Sequence, residues 1–231
     1  MTFLFDPASV NSLPIAGSDK RFPLRRVYCV GRNYAAHARE MGKDPDKEPP
    51  FFFMKPADAV VPGGGDIHYP PGTKNYQHEI ELVVALSSGG RRIPVADALK
   101  HVYGYAVGLD MTRRDLQFAA RDMGRPWDFG KSFDQSAPIG TLHPSSAVGH
   151  PSKGAITVHV NGELRQQGDL ADLIWSVPET ISFLSDYYTL EAGDIIFTGT
   201  PAGVAAVVPG DQLVGRVEGL SDLTVRIIPA L

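Results

Sequence analysis

The 231-residue sequence has one cysteine, little net charge and no apolar run as long as the ~18 residues that a membrane span requires. The single cysteine, Cys29, excludes a disulfide framework within the chain and is typical of a reducing compartment. A formal net charge of −4 argues against nucleic acid, whose phosphate backbone requires a basic surface. The N-terminus has no basic stretch of the kind that begins a secretory signal. We therefore expect a soluble, cytoplasmic protein with neither nucleic-acid nor membrane partners.

Two common active-site motifs are also missing. The complete Gly-x-x-x-x-Gly-Lys-Ser/Thr pattern of a nucleotide-binding P-loop does not occur. The segment 78–81, His-Glu-Ile-Glu, lacks the second histidine of the zinc-protease pattern His-Glu-x-x-His. These absences exclude a P-loop site and a zinc-protease helix.

The sequence is rich in turn-forming residues: 24 glycines and 19 prolines separate short β-forming runs. The runs predict strands at 26–30, 51–54, 79–86, 102–109, 156–160, 194–197, 212–217 and 223–228. Three helices are predicted, at 33–42, 112–123 and 177–188. Many strands without regular strand–helix alternation predict an α+β or β-roll fold rather than a doubly wound sheet. We expect residues 1–20 to be an N-terminal extension and residues 21–231 a single catalytic domain.

Local signals predict several element ends. Ser176 and Glu179 have the spacing of a capping box at the start of the third helix. Thr112 and Asp115 have the same spacing at the start of the second. The dipeptide Asn161-Gly162 predicts a type I′ hairpin turn.

Three carboxylates are candidates for a metal site. Glu79 and Glu81 lie two residues apart in a predicted strand, so both side chains point to the same face. On an otherwise apolar strand the two charges repel each other and lose hydration, and a cation relieves both costs. Asp110 follows the apolar strand 102–109, and three carboxylates without a thiolate suit Mg²⁺ or Mn²⁺. The alternative is that Glu79 and Glu81 line a solvated strand face while Asp110 begins a turn.

A histidine and a glutamate lie on one face of the first predicted helix, which Asn33 can cap. His37 and Glu40 are three residues apart and therefore neighbours on the helix surface. A carboxylate beside an imidazole fixes its tautomer and raises its basicity, as general-base catalysis requires. The helix and the loop 42–50 have the composition of a lid. The alternative is an exposed surface pair.

Two further segments can contact an anionic substrate. Lys131 follows the mixed aromatic and acidic turn 127–130, which can hold its ammonium beside an anion; the alternative is a solvated loop lysine. The segment 198–204 is Thr-Gly-Thr-Pro-Ala-Gly-Val, and such Gly-rich turns after a strand present backbone N–H groups to carboxylates. The alternative there is a simple tight turn.

Six motifs together resemble the fumarylacetoacetate hydrolase family, in the family's order between residues 31 and 204. The likeness extends from residue 21 to the C-terminal end and is closest to the short acylpyruvate and fumarylpyruvate hydrolases. The motifs are Gly31-Arg32-Asn33-Tyr34-Ala35-Ala36-His37, Met54-Lys55-Pro56, Glu79-Ile80-Glu81, Asp110-Met111-Thr112-x-Arg114-Asp115-x-Gln117, Gly130-Lys131-x-Phe133-Asp134 and Thr198-Gly199-Thr200-Pro201-x-Gly203-Val204.

The resemblance implies a mixed β-sandwich roll with a few short helices, and a homodimer. It implies a divalent cation, Mg²⁺ or Mn²⁺, on Glu79, Glu81 and Asp110. It also implies hydrolysis of a carbon–carbon bond in a 2,4-dioxo acid, fumarylpyruvate or another acylpyruvate. The products are pyruvate and a carboxylic acid.

The resemblance also suggests roles for other motif residues. Glu40 orients His37, which takes a proton from the water that attacks the 4-carbonyl, and Lys131 stabilises the pyruvate enolate that leaves. The expected substrate contacts are Arg32, Arg114, Gln117 and Thr200. A fumaryl chain ends in a second carboxylate, for which the candidate partners are Arg32, Arg121 and Arg125.

Two other functions stay open. An oxaloacetate decarboxylase uses the same kind of metal site and loses carbon dioxide without an attacking water. The other alternative is a silent module that binds small oxo acids, and the complete set of metal, dyad and lysine positions argues against it.

Overall fold

Short strands dominate the computed structural model, which describes residues 2–6, 8–40 and 49–231. Within these ranges the strands are β1 (Ser12–Ile15), β2 (Ser18–Pro23), β3 (Val27–Gly31), β4 (Phe51–Lys55), β5 (Val60–Pro62), β6 (Gly65–His68), β7 (Tyr76–His78), β8 (Ile80–Leu86), β9 (Val102–Leu109), β10 (Thr112–Arg113), β11 (Ala137–Ile139), β12 (His143–Pro144), β13 (Ala155–Val160), β14 (Glu163–Asp169), β15 (Ile195–Phe197), β16 (Ala205–Ala206), β17 (Gln212–Val217) and β18 (Leu223–Ile228). The α-helices are α1 (Ala35–Glu40), α2 (Val95–Ala98), α3 (Arg114–Asp122), α4 (Asp128–Lys131), α5 (Ser145–Val148) and α6 (Val177–Tyr187), and 3₁₀ turns lie at Ala57–Ala59, Leu99–His101 and Leu170–Asp172. None of these helices is long and apolar enough to cross a membrane.

The central sheet carries most of the candidate site. Its strand order is β4-β3-β15-β8-β9-β11-β5, and β12 pairs with β9 beside this path. Strand β15 is parallel to β3, and β11 is parallel to β5, whereas β8 is antiparallel to both of its neighbours. The sheet is therefore mixed.

A second sheet, β14-β13-β17-β18-β6, shares a core with one face of the central sheet. Ile80 and Leu82 of β8 lie in one buried cluster with Ile156 and Leu213 of the second sheet. Gly215 in β17 allows the close approach, because a Cβ atom there would lie 2.6 Å from Ile80 Cδ1. The two sheets form the predicted β-sandwich roll, and with the few short helices they confirm the α+β fold class.

The N-terminal residues form a hairpin, β1–β2, on the opposite face of the central sheet. Leu13 and Phe22 are buried in one cluster with Val83 and Ala85, the alternate side chains of β8. The side chain of Asn11 donates to the carbonyl of Val60 at 2.9 Å. The hairpin spans the expected boundary at residue 20, and the division into an extension and a catalytic domain stays a prediction.

A third, small sheet joins the segments from which the site is built. Strand β7 lies at its centre and pairs with β10 on one side and β16 on the other. Because β7 precedes Glu79, β10 follows Asp110 and β16 follows the 198–204 turn, this sheet holds three distant parts of the chain together.

The long strands and the third helix match the sequence-based prediction. All eight predicted strands are present, with ends that differ by at most one residue. The capping box of Ser176 and Glu179 is formed at the start of α6. Asn161 and Gly162 make the hairpin turn between β13 and β14 with φ angles of 53° and 84°.

The second helix begins later than expected, because Thr112 is not its cap. Thr112 belongs to β10, and α3 starts two residues further on. The Thr112 hydroxyl donates to the carbonyl of Asp110 at 3.1 Å. Asp115 accepts from the hydroxyl of Thr73 at 2.5 Å instead of closing a capping box.

The first helix, α1, is correct in type and shorter than predicted. Asn33 does not cap it, because its Oδ1 accepts from the backbone N–H of Trp175 at 2.7 Å. Its amide nitrogen donates to the carbonyls of Trp175 and Thr198, each at 2.8 Å. The predicted end at Gly42 and most of the loop 42–50 fall on residues 41–48, outside the described residues.

Candidate active site

Three carboxylates meet where β8 begins and β9 ends. Glu79 precedes β8, Glu81 is its second residue, and Asp110 follows β9, which pairs with β8. One carboxylate oxygen from each residue lies within 4.8 Å of the other two, and all three side chains are buried. The alternative in which Glu79 and Glu81 line a solvated strand face is therefore wrong. We call these three residues the carboxylate cluster.

A buried lysine spans the carboxylate cluster. Lys131 is 2% exposed, and its Nζ donates to Glu79 Oε2 at 2.8 Å, Asp110 Oδ2 at 2.7 Å and Thr112 Oγ1 at 2.7 Å. Burial alone would lower the pKa of Lys131, but the two carboxylates outweigh it and raise the pKa above its ordinary value. The alternative in which Lys131 is a solvated loop residue is therefore wrong. Lys131 supplies a buried positive charge to the carboxylate cluster.

A second buried lysine, Lys55 at the end of β4, holds Lys131 in place. Its Nζ donates to the carbonyl of Lys131 at 2.5 Å and to that of Met111 at 3.2 Å. The same nitrogen lies 2.8 Å from Asp110 Oδ1, as an ion pair outside hydrogen-bonding geometry. Asp110 Oδ1 therefore has no hydrogen-bond partner among the residues that the structure describes.

Arg114, at the start of α3, anchors Glu79 from the other side. Its guanidinium donates to Glu79 Oε1, to Gln117 Oε1 at 2.5 Å and to Gln77 Oε1 at 2.7 Å. Burial would raise the pKa of Glu79, but Lys131 and Arg114 outweigh it and hold this pKa below its usual range. The amide nitrogen of Gln117 has no acceptor in the described part of the chain.

Glu81 carries the least compensated charge of the cluster. Among the described residues it forms no ion pair, and its Oε2 accepts from the backbone N–H of Gly199 at 2.6 Å. Burial and the charges of Asp110 and Glu79 raise the pKa of Glu81 well above its usual range. A divalent cation would remove this repulsion and give Asp110 Oδ1 a partner. Three hard oxygen donors thus fit an ion such as Mg²⁺ or Mn²⁺.

His37 and Glu40 are paired on α1. His37 Nδ1 lies 3.1 Å from Glu40 Oε2, and the histidine is 5% exposed. The backbone N–H of Gly203 also donates to the Glu40 carboxylate at 3.3 Å, which connects α1 to the 198–204 turn. His37 lines the same cavity as the carboxylate cluster. The alternative of an exposed surface pair is therefore wrong for His37, which is buried.

Thr200 lies in the same cavity, but its hydroxyl is already engaged. Thr200 Oγ1 donates to the carbonyl of Ile80 at 2.7 Å and accepts from Gln166 Nε2 at 2.9 Å. Gln166 Oε1 in turn accepts from the backbone N–H of Ile80 at 3.1 Å and from His78 Nδ1 at 2.8 Å. The backbone N–H of Thr200 has no acceptor among the described residues.

The three arginines that were candidates for a second carboxylate occupy different places. Arg32 lines the cavity of the carboxylate cluster. Arg125 lines a larger cavity beside it. Arg121 lines neither of the two and pairs with Asp122 at 2.9 Å.

Sequence reasoning assigned no role to Lys55 or Gln166. The family motif Met54-Lys55-Pro56 was a sequence signal for Lys55. Its contact with Asp110 could not be predicted, because the two residues are far apart in the chain. Gln166 is buried between exposed neighbours in β14. A polar residue at an inward position of a hairpin strand is the one sequence signal that could have identified it.

Comparisons with known proteins place the chain among enzymes of small oxo acids. The profile of the family described as Fumarylacetoacetate (FAA) hydrolase C-terminal matches residues 26–228. Fumarylpyruvate hydrolase of Ralstonia sp is 46% identical over 192 residues, which cover 82% of this chain and 100% of that protein. The mitochondrial oxaloacetate tautomerase of Homo sapiens is 42% identical over 203 residues, which cover 88% of this chain and 91% of that protein. The crystal structure of fumarylpyruvate hydrolase from Pseudomonas aeruginosa, in complex with Mn²⁺ and pyruvate, has a TM-score of 0.97 at 59% identity and covers 99% of this chain and 100% of that one.

Proposed function

The chain belongs to the fumarylacetoacetate hydrolase family, and on this premise we propose that it hydrolyses the carbon–carbon bond of a 2,4-dioxo acid. The observation that carries the proposal is one cavity lined by the carboxylate cluster, Lys131 and His37. The similar enzyme of Pseudomonas aeruginosa binds pyruvate, the product expected here. Two similar enzymes named fumarylpyruvate hydrolase favour fumarylpyruvate as the substrate.

Mg²⁺ or Mn²⁺ is the proposed cofactor, held by Glu79, Glu81 and Asp110. Support comes from the convergent oxygens, from Asp110 Oδ1, which accepts no hydrogen bond from the described residues, and from the Mn²⁺ in the Pseudomonas aeruginosa enzyme. When bound, such an ion supplies Lewis acidity and orients a dioxo acid.

The substrate carboxylate is bound by donors that the protein leaves unused. The hydroxyl of Thr200 is committed to the carbonyl of Ile80, so the backbone N–H of Thr200 is the donor that this residue offers. The amide nitrogen of Gln117 is a second donor, since its oxygen accepts from Arg114. Arg114 therefore acts mainly by orienting Glu79 and Gln117.

His37 is the proposed general base. In the neutral tautomer whose Nδ1–H donates to Glu40, Nε2 carries no proton and can accept one from the attacking water. The oxygen of this water adds to the 4-carbonyl carbon of the substrate. Collapse of the adduct breaks the bond between C3 and C4, and the electron pair remains on C3 as the enolate of pyruvate. A proton then returns to C3.

Lys131 stabilises the enolate through its charge. In this structure its three hydrogen bonds go to Glu79, Asp110 and Thr112. A direct bond to a substrate oxygen requires that one of these be exchanged. In a buried site the ammonium of Lys131 stabilises developing negative charge even without a direct hydrogen bond to the substrate, because little water screens it.

The test measures two signals with purified protein and Mg²⁺ or Mn²⁺. We expect the ultraviolet absorbance of the fumarylpyruvate enol to disappear and pyruvate to form in equal amount with fumarate. His37→Gln should abolish most of this turnover, whereas His101→Gln, at a histidine outside the cavity, should not. Wild-type protein that forms no pyruvate from fumarylpyruvate or acetylpyruvate would refute the proposal.

A second candidate function acts on oxaloacetate, by decarboxylation or tautomerisation. The similarity to a human oxaloacetate tautomerase favours it. Release of carbon dioxide identifies the decarboxylase, and enol–keto conversion without pyruvate identifies the tautomerase. A comparison of kcat/KM for fumarylpyruvate, acetylpyruvate and oxaloacetate decides between the two candidate functions, because the substrate with the highest value identifies the function. Binding of oxalate without turnover of any of these acids would instead support a silent oxo-acid-binding module.

We also propose that the protein is a homodimer of the cytoplasm. The family resemblance supports the dimer, and the single, buried Cys29 is compatible with a reducing compartment. Light scattering after gel filtration should give twice the chain mass of 25.0 kDa.

A further inference from the structure

A cavity of about 620 Å³ adjoins the cavity of the carboxylate cluster. The two cavities share Arg32, Phe53, Trp127 and Lys131 as lining residues. The cavity at the cluster itself measures about 20 Å³, which is space for roughly one water molecule. The space at the cluster is therefore too small for an acyl chain, and the larger cavity is the adjoining space that can hold one.

The walls of the larger cavity are aromatic and begin at the cluster. Phe51 and Phe53 lie on the same face of β4, and the ring of Trp127 is 5.4 Å from the first and 5.9 Å from the second. Lys131 Nζ lies 5.1 Å from the centre of the Phe53 ring. A planar, conjugated chain suits such walls, because its flat faces can pack against the rings.

The larger cavity also contains a guanidinium that the rest of the described chain does not use. Gly124, with a φ of 65°, lies two residues beyond the end of α3, and the next backbone N–H, that of Arg125, donates to the carbonyl of Ala120 at 2.8 Å. The Arg125 side chain is exposed and lines only the larger of the two cavities. In the described residues it has no hydrogen-bond acceptor, ion-pair partner or ring contact.

Arg121, in the last turn of α3, is a natural comparison. Its guanidinium pairs with Asp122 at 2.9 Å and lies 4.4 Å from the centre of the Phe118 ring. The two arginines are equivalent candidates in sequence, but the structure directs only Arg125 to the cavity.

We propose that the larger cavity is the acyl subsite and that Arg125 binds a carboxylate at the far end of the acyl chain. The substrate class is then a 2,4-dioxo acid with a planar, unsaturated acyl chain that ends in a second carboxylate. This inference rests on the proposed function. Arg32, whose guanidinium lies over Phe51 at 5.1 Å, adds positive charge where the two cavities meet. Asp128 lines the same cavity and opposes a second carboxylate, so Arg125 has to compensate for this charge.

The experiment compares kcat/KM for fumarylpyruvate, which has the second carboxylate, with kcat/KM for acetylpyruvate, which lacks it. In Arg125→Gln the ratio of the two values should fall about three- to fivefold, because a charge-assisted hydrogen bond at an exposed site is lost. The fall should come from a higher KM for fumarylpyruvate, since the chain end takes no part in bond breaking. In Asp128→Asn the ratio should rise, and in Arg121→Gln it should keep its wild-type value.

Each outcome decides one of the two proposals. If the wild type cleaves both acids and the ratio is unchanged in Arg125→Gln, the acyl subsite is wrong and the proposed function stands. An equal fall in Arg121→Gln and Arg125→Gln also overturns the subsite, because it shows a general charge effect. If the wild type cleaves neither acid, the proposed function fails and this inference fails with it.

Discussion

Replacement of Lys131 by methionine removes a positive charge from a place where little water can substitute for it. Its ammonium donates to Glu79 at 2.8 Å and to Asp110 at 2.7 Å, and the lysine is 2% exposed. Removing one partner of a buried ion pair costs about 3–5 kcal/mol of unfolding free energy, because the other charge stays buried. Arg114 still binds Glu79, and Lys55 lies 2.8 Å from Asp110. We therefore expect the lower part of that range, about 3–4 kcal/mol.

The assay is urea unfolding with a chelator present, for wild type, Lys131→Met and the control Lys153→Met. Lys153 is exposed, so its replacement should change the unfolding free energy by less than about 0.5 kcal/mol. The loss in Lys131→Met should shrink from neutral to mildly acidic pH. In the wild type the pKa of Glu79 is lowered, so its stabilising effect is present above the unfolded-state pKa and is lost as the pH falls through the lower folded-state pKa. In the variant the carboxylates lose their cation, and protonation then relieves the cost of burying them.

A divalent cation provides a second measurement on the same variant. An ion that binds only the folded state stabilises it by about 2.7 kcal/mol at a hundredfold excess over its Kd. We expect a larger stabilisation by Mn²⁺ in Lys131→Met than in wild type, because the ion then neutralises charge that Lys131 otherwise neutralises. A loss below about 1 kcal/mol in chelator, or an equal loss in Lys153→Met, would refute the reasoning.

Three further predictions test other parts of the molecule. Glu81→Gln should weaken Mn²⁺ binding in titration calorimetry, since it removes one formal charge from the cluster, and chelation of the wild type should abolish activity that Mg²⁺ or Mn²⁺ restores. His37→Ala should lower kcat by roughly 10²–10⁴ through loss of a positioned base, while Mn²⁺ affinity is kept. Gly215→Ala should lower the unfolding free energy by about 1–3 kcal/mol in urea titrations, because its Cβ would lie 2.6 Å from Ile80 Cδ1.

Each of these predictions has a result that contradicts it. Full activity after complete chelation, with metal content checked by elemental analysis, rules out the metal role of the cluster. Loss of Mn²⁺ affinity in His37→Ala shows that the histidine belongs to the metal site. For the glycine, Gly90→Ala is the control, since its nearest neighbour would be 3.7 Å away. Equal stability changes at both glycines contradict the packing argument.

The parts of the fold that sequence predicts are those governed by local rules. Alternation in a strand places Glu79 and Glu81 on one face. It also marks β17 and β18, whereas β8 and β9 are recognised as near-continuous apolar runs. The capping box of Ser176 and Glu179 also depends only on neighbouring residues. Strands of two residues, such as β10 and β16, have too few positions to show a pattern.

The remaining features arise from contacts between distant segments. Thr112 has the spacing of a cap, but in the folded chain its hydroxyl bonds the carbonyl of Asp110 and accepts from Lys131, and its backbone is part of β10. Lys55 reaches Met111 and Lys131, which are 56 and 76 residues away. No periodicity or propensity predicts such pairings, because they depend on how the sheets come together.

The strand order of the central sheet also has a consequence for how the chain is made. Strand β15, near the C-terminal end of the sequence, lies between β3 and β8, which are synthesised much earlier. Until β15 leaves the ribosome, β3 and β8 each keep one unpaired edge, and every residue of β8 is buried in the finished protein. Unpaired apolar edges of this kind recruit other strands and promote aggregation. Chains that terminate before residue 195 should therefore be insoluble and depend on chaperones, whereas a truncation after β18 should leave the sheet complete.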